Sequence, residues 1–280
     1  MMKVGRFLNC GQFGRVYEAT KIDTCEIVAV KEIIDLDILD SLEHEIPALK
    51  NLHHDNIVNM KSYFMSDNRK TLSIVFEMAE MDLLKFVAQP TFDPVHIRFY
   101  AQQILCGLAY MHEMKYVHKD MKTSNILVFN GGKKLKIADF GICETLKENG
   151  RIPHEYEIVA KWYRAPELLL GCREYDCSID IWSLAVIICE MGMRGRGSPF
   201  QGTYEIDVLF KIFWLCGTPT STSWPLINDL LHWNDDFPKW FERELNFPSL
   251  DETMISLLKT MLVLQPGKRA TAEACIVQLL

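Results

Sequence analysis

The sequence lacks any Cys-x-x-Cys pair, although it carries nine cysteines, an odd number. That excludes a disulfide framework and the usual zinc spacings, and leaves free, mostly buried thiols in a reducing compartment. It also lacks a basic excess. The net charge is −7, whereas a nucleic-acid binder normally carries a basic face. A long uninterrupted apolar run is missing as well. The longest, residues 179–193, contains Asp180 and Glu190 and is too short to span a bilayer, so it reads as a buried core helix. The first nine residues hold no apolar signal core. Internal repeats and low-complexity stretches are absent. These absences point to a soluble, intracellular chain that works without nucleic acid or membrane, and they leave nucleus and cytoplasm both open.

What is present is ordinary globular material. At 280 residues and 49% apolar, the chain can build one large domain or two lobes around a cleft. Short runs rich in β-branched and aromatic residues predict strands at 4–10, 15–20, 26–33 and 72–77. Between them, Leu36, Leu39, Leu42, Ile46 and Leu49 recur at helical spacing. After Asp93 helical patterns dominate. Ile97, Tyr100, Ala101, Ile104, Leu108 and Met111 share one face, and further helices are expected at 178–193, 205–215 and 251–262. Two short strands, 126–129 and 134–137, flank a turn at Asn130-Gly131-Gly132. The expected fold class is α+β, a small β-rich lobe over residues 1–79 and a larger helical lobe over 80–280, together a single domain.

Three stretches carry chemistry. Gly11 and Gly14 frame a turn between two strands, Cys10-Gly11-Gln12-Phe13-Gly14-Arg15-Val16. Such a turn can lie over a polyphosphate where a Cβ would clash, and it is equally an ordinary glycine-bearing hairpin. In Val28-Ala29-Val30-Lys31 an ammonium interrupts an apolar strand. A desolvated charge needs a partner, and Glu45 on the following helix can supply it; alternatively the Lys snorkels to solvent. The third stretch is His118-Lys119-Asp120-Met121-Lys122-Thr123-Ser124-Asn125, followed by Ala138-Asp139-Phe140-Gly141. Asn125 and Asp139 are hard oxygen ligands suited to Mg²⁺. Asp120 can orient a hydroxyl and accept its proton, and Lys122 can steady a migrating phosphoryl group.

Taken together, these motifs resemble the protein kinase signature, in order and over essentially the whole chain. Ala165-Pro166-Glu167 looks like the end of an activation segment, Asp180-Ile181-Trp182-Ser183 like the family's central helix, and Arg269 like the residue that pairs with Glu167. Within that family the chain looks most like the cyclin-dependent kinases of the CMGC group, through Trp162-Tyr163-Arg164, Glu205-Ile206-Asp207, Gly217-Thr218-Pro219 and Trp224-Pro225. The resemblance implies a bilobal fold and transfer of the ATP γ-phosphate, with Mg²⁺, to protein Ser or Thr. Lys31, positioned by Glu45, would hold the α- and β-phosphates. Gly11, Gly14, Val16, Ala29, Glu77, Ala79, Asn125 and Asp139 would line the nucleotide site, with Phe76 at its back. Asp120 and Lys122 would be catalytic, and Asn125 and Asp139 would hold the metal. Arg164 and Val159 would shape a pocket for a Pro after the phosphorylated residue.

The departures from that family are equally specific. Asn9 stands at the first glycine of the phosphate loop, and Gln12 and Phe13 replace a phosphorylatable pair. Glu155 occupies the activating phosphothreonine position, and His44, Lys119 and Glu144 stand where three arginines would hold that phosphate. Lys119 is the natural partner for Glu155, in a pair worth ~0.2–1 kcal/mol. The segment is therefore expected to be held by Glu155 without phosphorylation. Ala160 replaces a Thr that would bridge Asp120 and Lys122, and Glu43 replaces an apolar anchor for a cyclin. The partner implied is a cyclin or a divergent activating subunit, and the alternative is a monomer with its helix already packed inward. The alternative function is a nucleotide-binding pseudokinase or scaffold.

Overall fold

In the computed structural model the residues described are 2–11, 14–34, 41–66, 70–153 and 160–280. The N-terminal part is a five-stranded antiparallel sheet in the order β1-β2-β3-β5-β4. Its strands are β1 (Met2–Gly11), β2 (Gly14–Lys21), β3 (Ile27–Ile34), β4 (Met60–Met65) and β5 (Thr71–Glu77). β3 alternates apolar residues between two faces, so one face packs Ile33 into the main core and the other buries Val28 and Val30 with Ala19 and Val75. Lys31 falls on the Ile33 face, next to the helix that crosses it.

That helix has an unusual start. Ser41–Glu45 forms a π turn, and α1 (Ile46–Asn51) continues from it. Pro47 has no N–H to donate, and its ring crowds the carbonyl four residues back. A widened turn ahead of it relieves that crowding. The expected apolar stripe begins earlier, at Leu36 and Leu39, which lie outside the described residues. Leu42 is exposed, whereas Ile46 and Leu49 are buried.

The remaining elements follow as β6 (Met81–Asp82), α2 (Leu83–Val87), α3 (Ile97–Glu113), β7 (Tyr116–Val117), β8 (Ile126–Phe129), β9 (Lys134–Ile137) and β10 (Glu144–Thr145). After them come α4 (Pro166–Leu169), α5 (Ser178–Gly192), α6 (Glu205–Cys216), α7 (Glu252–Met261) and α8 (Ala272–Gln278). β8 and β9 pair as expected, and their turn puts Asn130, Gly131 and Gly132 all at positive φ. A side chain at Gly132 would strike Phe86 at 2.6 Å. α5 is mostly apolar and buried from Ile179 to Gly192, with Asp180, Ser183 and Glu190 included, the pattern of a helix enclosed by others. No helix among the described residues is long and apolar enough to cross a membrane.

Candidate active site

Between the sheet and the helical part lies a cavity of about 410 Å³. Val16 and Ala29 reach it from the sheet and Leu127 from β8, making an apolar slot. Phe76, Glu77, Met78 and Ala79 form its back and edge. The Glu77 carboxylate is turned out of the slot and accepts from the Asn59 N–H at 2.8 Å and from Lys136 Nζ at 2.6 Å. The backbone of Met78 and Ala79 enters no hydrogen bond among the described residues, so it is available to a planar ligand.

Lys31, Glu45 and Asp139 also line this cavity. Lys31 Nζ donates to both Glu45 oxygens at 2.8 and 3.0 Å and to Asp139 Oδ1 at 2.9 Å. Lys31 therefore does not snorkel; it is 8% exposed. Burial alone would lower the Lys31 pKa, but the two carboxylates outweigh it and hold the ammonium well above its ordinary value. Burial likewise opposes charge on Asp139, and Lys31 overrides it, keeping that carboxyl below its usual range. Glu45 is drawn the other way by burial, so the charge of the cluster rests on Lys31 holding both acids.

Asp139 reaches inward because its backbone is left-handed, φ 65°. The next residue, Phe140, is fully buried, with its ring edge-on to His118, centroids 5.2 Å apart. His118 Nδ1 accepts from the Asp120 N–H at 3.2 Å, which makes Nε2 the donor to the Ala138 carbonyl at 3.0 Å. Beneath the loop, Asp180 at the start of α5 accepts from the N–H groups of His118 (2.9 Å) and Lys119 (3.0 Å) and meets His112 Nε2 at 3.0 Å. Those bonds hold Lys119 in a left-handed conformation, φ 70°, and turn the chain towards Asp120.

Asp120 Oδ2 accepts from Lys122 Nζ at 2.6 Å and from Asn125 Nδ2 at 3.0 Å. Asn125 Nδ2 also donates to the Asp120 carbonyl, 2.8 Å. Both amide hydrogens of Asn125 are therefore committed, and its oxygen faces outward as an acceptor. Asn125 and Asp139 both line the cavity and carry hard oxygens of the kind that could hold Mg²⁺. No group of three or more His, Cys, Asp or Glu forms a metal site among the described residues. A cation here would thus need further oxygens from a phosphate ligand and water.

The glycines have a second reason. Gly14 lines the cavity, with φ 137°, and a Cβ on it would lie 2.4 Å from the Glu32 carbonyl. The sheet itself, not only a ligand, forbids a side chain there. Gly11 pairs with Gly14 across the turn, and Gln12 and Phe13 lie outside the described residues. Asn9 belongs to β1 and closes a local bond from the Cys10 N–H to its own Oδ1, 2.9 Å.

The other side of the 118–125 loop is held by ion pairs. Lys119 Nζ bonds Glu144, at 2.9 Å, and Lys147 adds a second contact to Glu144 at 3.3 Å. β10 pairs Glu144 with Val117, two residues before Lys119, which brings the two side chains together. Two of the three positions expected to cradle a phosphate thus neutralise each other. Glu155, the partner anticipated for Lys119, and Val159 fall outside the described residues. Arg164 is buried and ion-paired with Glu205 at the start of α6. Glu167 and Arg269 form a buried fork, 2.8 and 2.9 Å. Sequence reasoning passed over a buried chain of hydroxyls and a carboxylate: Tyr163 OH lies 3.0 Å from Thr123 Oγ1 and donates to Glu190 Oε2 at 2.8 Å.

A family model described as protein kinase domain matches residues 2–279. With the sheet, the cleft and the two loops placed as above, the chain belongs to the protein kinase family.

Proposed function

We propose that the protein is a Ser/Thr kinase of cyclin-dependent-kinase type, with one catalytic domain whose lobes are residues 1–79 and 80–280. It moves the γ-phosphoryl group of ATP to a Ser or Thr hydroxyl followed by Pro. The observation that carries this reading is the Lys31 ammonium joined to Glu45 and Asp139 at one cavity, with Asp120 and Lys122 tied to that cavity through Asn125.

In this reading the Met78–Ala79 backbone bonds the adenine edge while Val16, Ala29 and Leu127 enclose its faces. Lys31 orients the α- and β-phosphates, and Asn125 and Asp139 hold Mg²⁺, which when bound spreads the charge of the phosphate oxygens. Asp120 aims the substrate hydroxyl at the γ-phosphorus and takes its proton as the new P–O bond forms. The bond from the γ-phosphorus to the bridging oxygen breaks, and ADP leaves. Lys122 offsets charge on the moving group.

Arg164 supports the Pro preference by holding the substrate segment to α6 through Glu205. Lys119 and Glu144 support activity without a phosphorylated segment, since their mutual pairing leaves little positive charge to seek a phosphate. The sequence position of Glu155 supports the same reading, a carboxylate where a phosphothreonine would stand. Glu43, exposed and charged on the helix carrying Glu45, argues that any activating subunit differs from an ordinary cyclin.

The test is transfer from Mg·ATP to a Ser-Pro peptide by protein made in bacteria, without a partner, beside Asp139→Asn. Turnover by the parent alone supports the reading. Mg·ATP binding without turnover, with or without added partners, favours a scaffold and overturns it.

A further inference from the structure

Ala160 presents only a methyl group where the family resemblance leads one to expect a hydroxyl that ties Asp120 to Lys122. Its backbone N–H makes one long bond to Asp120 Oδ1, 3.3 Å. A second hydroxyl lies close by. Thr123, 1% exposed, begins the 3-10 turn Thr123–Asn125, and the Asn125 N–H closes that turn on the Lys122 carbonyl at 2.9 Å. Holding Thr123 therefore holds both Lys122 and Asn125.

Thr123 is held from the far side. Tyr163 OH has a single hydrogen, which goes to Glu190 Oε2 at 2.8 Å, so at the 3.0 Å contact Thr123 Oγ1 is the donor and Tyr163 the acceptor. Tyr163 is itself fixed: its carbonyl accepts from Ser183 Oγ at 2.8 Å, and its N–H closes the turn Lys161–Tyr163 on the Ala160 carbonyl at 2.8 Å. Ser183 and Glu190 both belong to α5. The chain Thr123–Tyr163–Glu190 thus registers the catalytic loop and the substrate segment against one buried helix.

We infer that Thr123 is a positioning residue whose hydroxyl, acting through Tyr163 and Glu190, replaces the hydroxyl absent at residue 160 and aligns Asp120 and Lys122 with the substrate segment. The inference rests on the kinase reading above. It is distinct from a purely structural role, because it predicts that a hydroxyl restored at residue 160 makes the one at 123 dispensable.

The experiment compares the parent, Thr123→Val, Thr123→Ser, Tyr163→Phe, and Thr123→Val combined with Ala160→Thr. Steady-state transfer to a Ser-Pro peptide and amide hydrogen exchange at residues 122–125 are both followed. Thr123→Val is expected to lower kcat about tenfold, the cost of a small misplacement of reacting groups, with a clearly smaller change in the KM for ATP, since Asn125 shares the turn. Tyr163→Phe should match it, the two together should cost no more than either alone, and Thr123→Ser should retain most of the rate. Adding Ala160→Thr to Thr123→Val should recover most of the lost kcat and slow the exchange again. An unchanged kcat in Thr123→Val, an equal loss in kcat and ATP binding, or no recovery with Ala160→Thr would overturn the inference. If the parent shows no turnover, the kinase reading fails by itself. Exchange at 122–125, faster in Thr123→Val and restored by Ala160→Thr, then still decides whether Thr123 positions the loop.

Discussion

The two flanks of the catalytic loop are built differently. On the Lys31 flank, one buried ammonium joins a buried carboxylate, Glu45, and a partly buried one, Asp139, so that three separate elements share one cluster. On the segment flank, the polar groups are rearranged relative to the family pattern: Lys119 pairs with Glu144, Ala160 contributes only its backbone, and Thr123 bonds Tyr163. The contrast follows from how the groups are linked, since both flanks are largely buried. Three charges that share one buried ammonium must be solved together, because removing it strands both acids. Hydroxyls and ion pairs that are not linked through one shared buried ion can exchange their partners one at a time.

The sharpest way to test that contrast is to remove charge on each flank. Asp120→Asn is expected to cost on the order of 10²–10⁴ in kcat while leaving nucleotide binding intact, by steady-state kinetics and titration with Mg·ATP. Asp139→Asn should cost on the order of 10²–10³ and also weaken Mg²⁺-dependent nucleotide binding. Equal binding losses in both would break the division into flanks. Next is Lys31→Met, which leaves Glu45 facing Asp139. About 3–5 kcal/mol of stability should be lost, read as a lower Tm at neutral pH.

Smaller effects are expected on the other flank. Glu205→Ala removes the Arg164 ion pair with α6, and the ratio of kcat/KM for Ser-Pro over Ser-Ala peptides should fall about tenfold. Glu144→Gln should cost no more than about 1 kcal/mol. Its pH dependence has a definite sign. Burial works against the Glu144 charge, but the bond from Lys119 outweighs it and depresses the carboxyl below its ordinary 4.5. The stability from the pair is therefore present above about pH 4.5 and is lost as pH falls through the depressed value. The Tm gap between the parent and Glu144→Gln should close in acid.

Much of the fold was legible where pattern and length agree. β8 and β9 run over 126–129 and 134–137 as the alternation indicates, and α5 ends one residue from expectation. β4 was missed because Met60–Met65 is an edge strand with most of its side chains half or fully exposed, so no buried face marks it. The Lys31 cluster could be anticipated because an ammonium in an apolar strand requires a partner. The Tyr163 chain could not, since its members lie 40 and 27 residues apart and no local spacing relates them. Lys119 was assigned to Glu155 because both fall at family positions. The two-residue pairing of β7 with β10, too short to show in sequence, gives it Glu144 as a partner, and Glu155 lies outside the described residues.

Gly14 has a consequence for how substitution data on this protein would be read. The atom in the way of a Cβ there is the Glu32 carbonyl, one residue along β3 from Lys31. A larger residue at 14 pushes that strand, and the displaced group is Lys31 on the neighbouring strand. A mutational scan would record lost nucleotide handling and score position 14 as a ligand contact. The defect would have begun as a collision between two strands, and a compensating change would be found in β3 rather than in the loop.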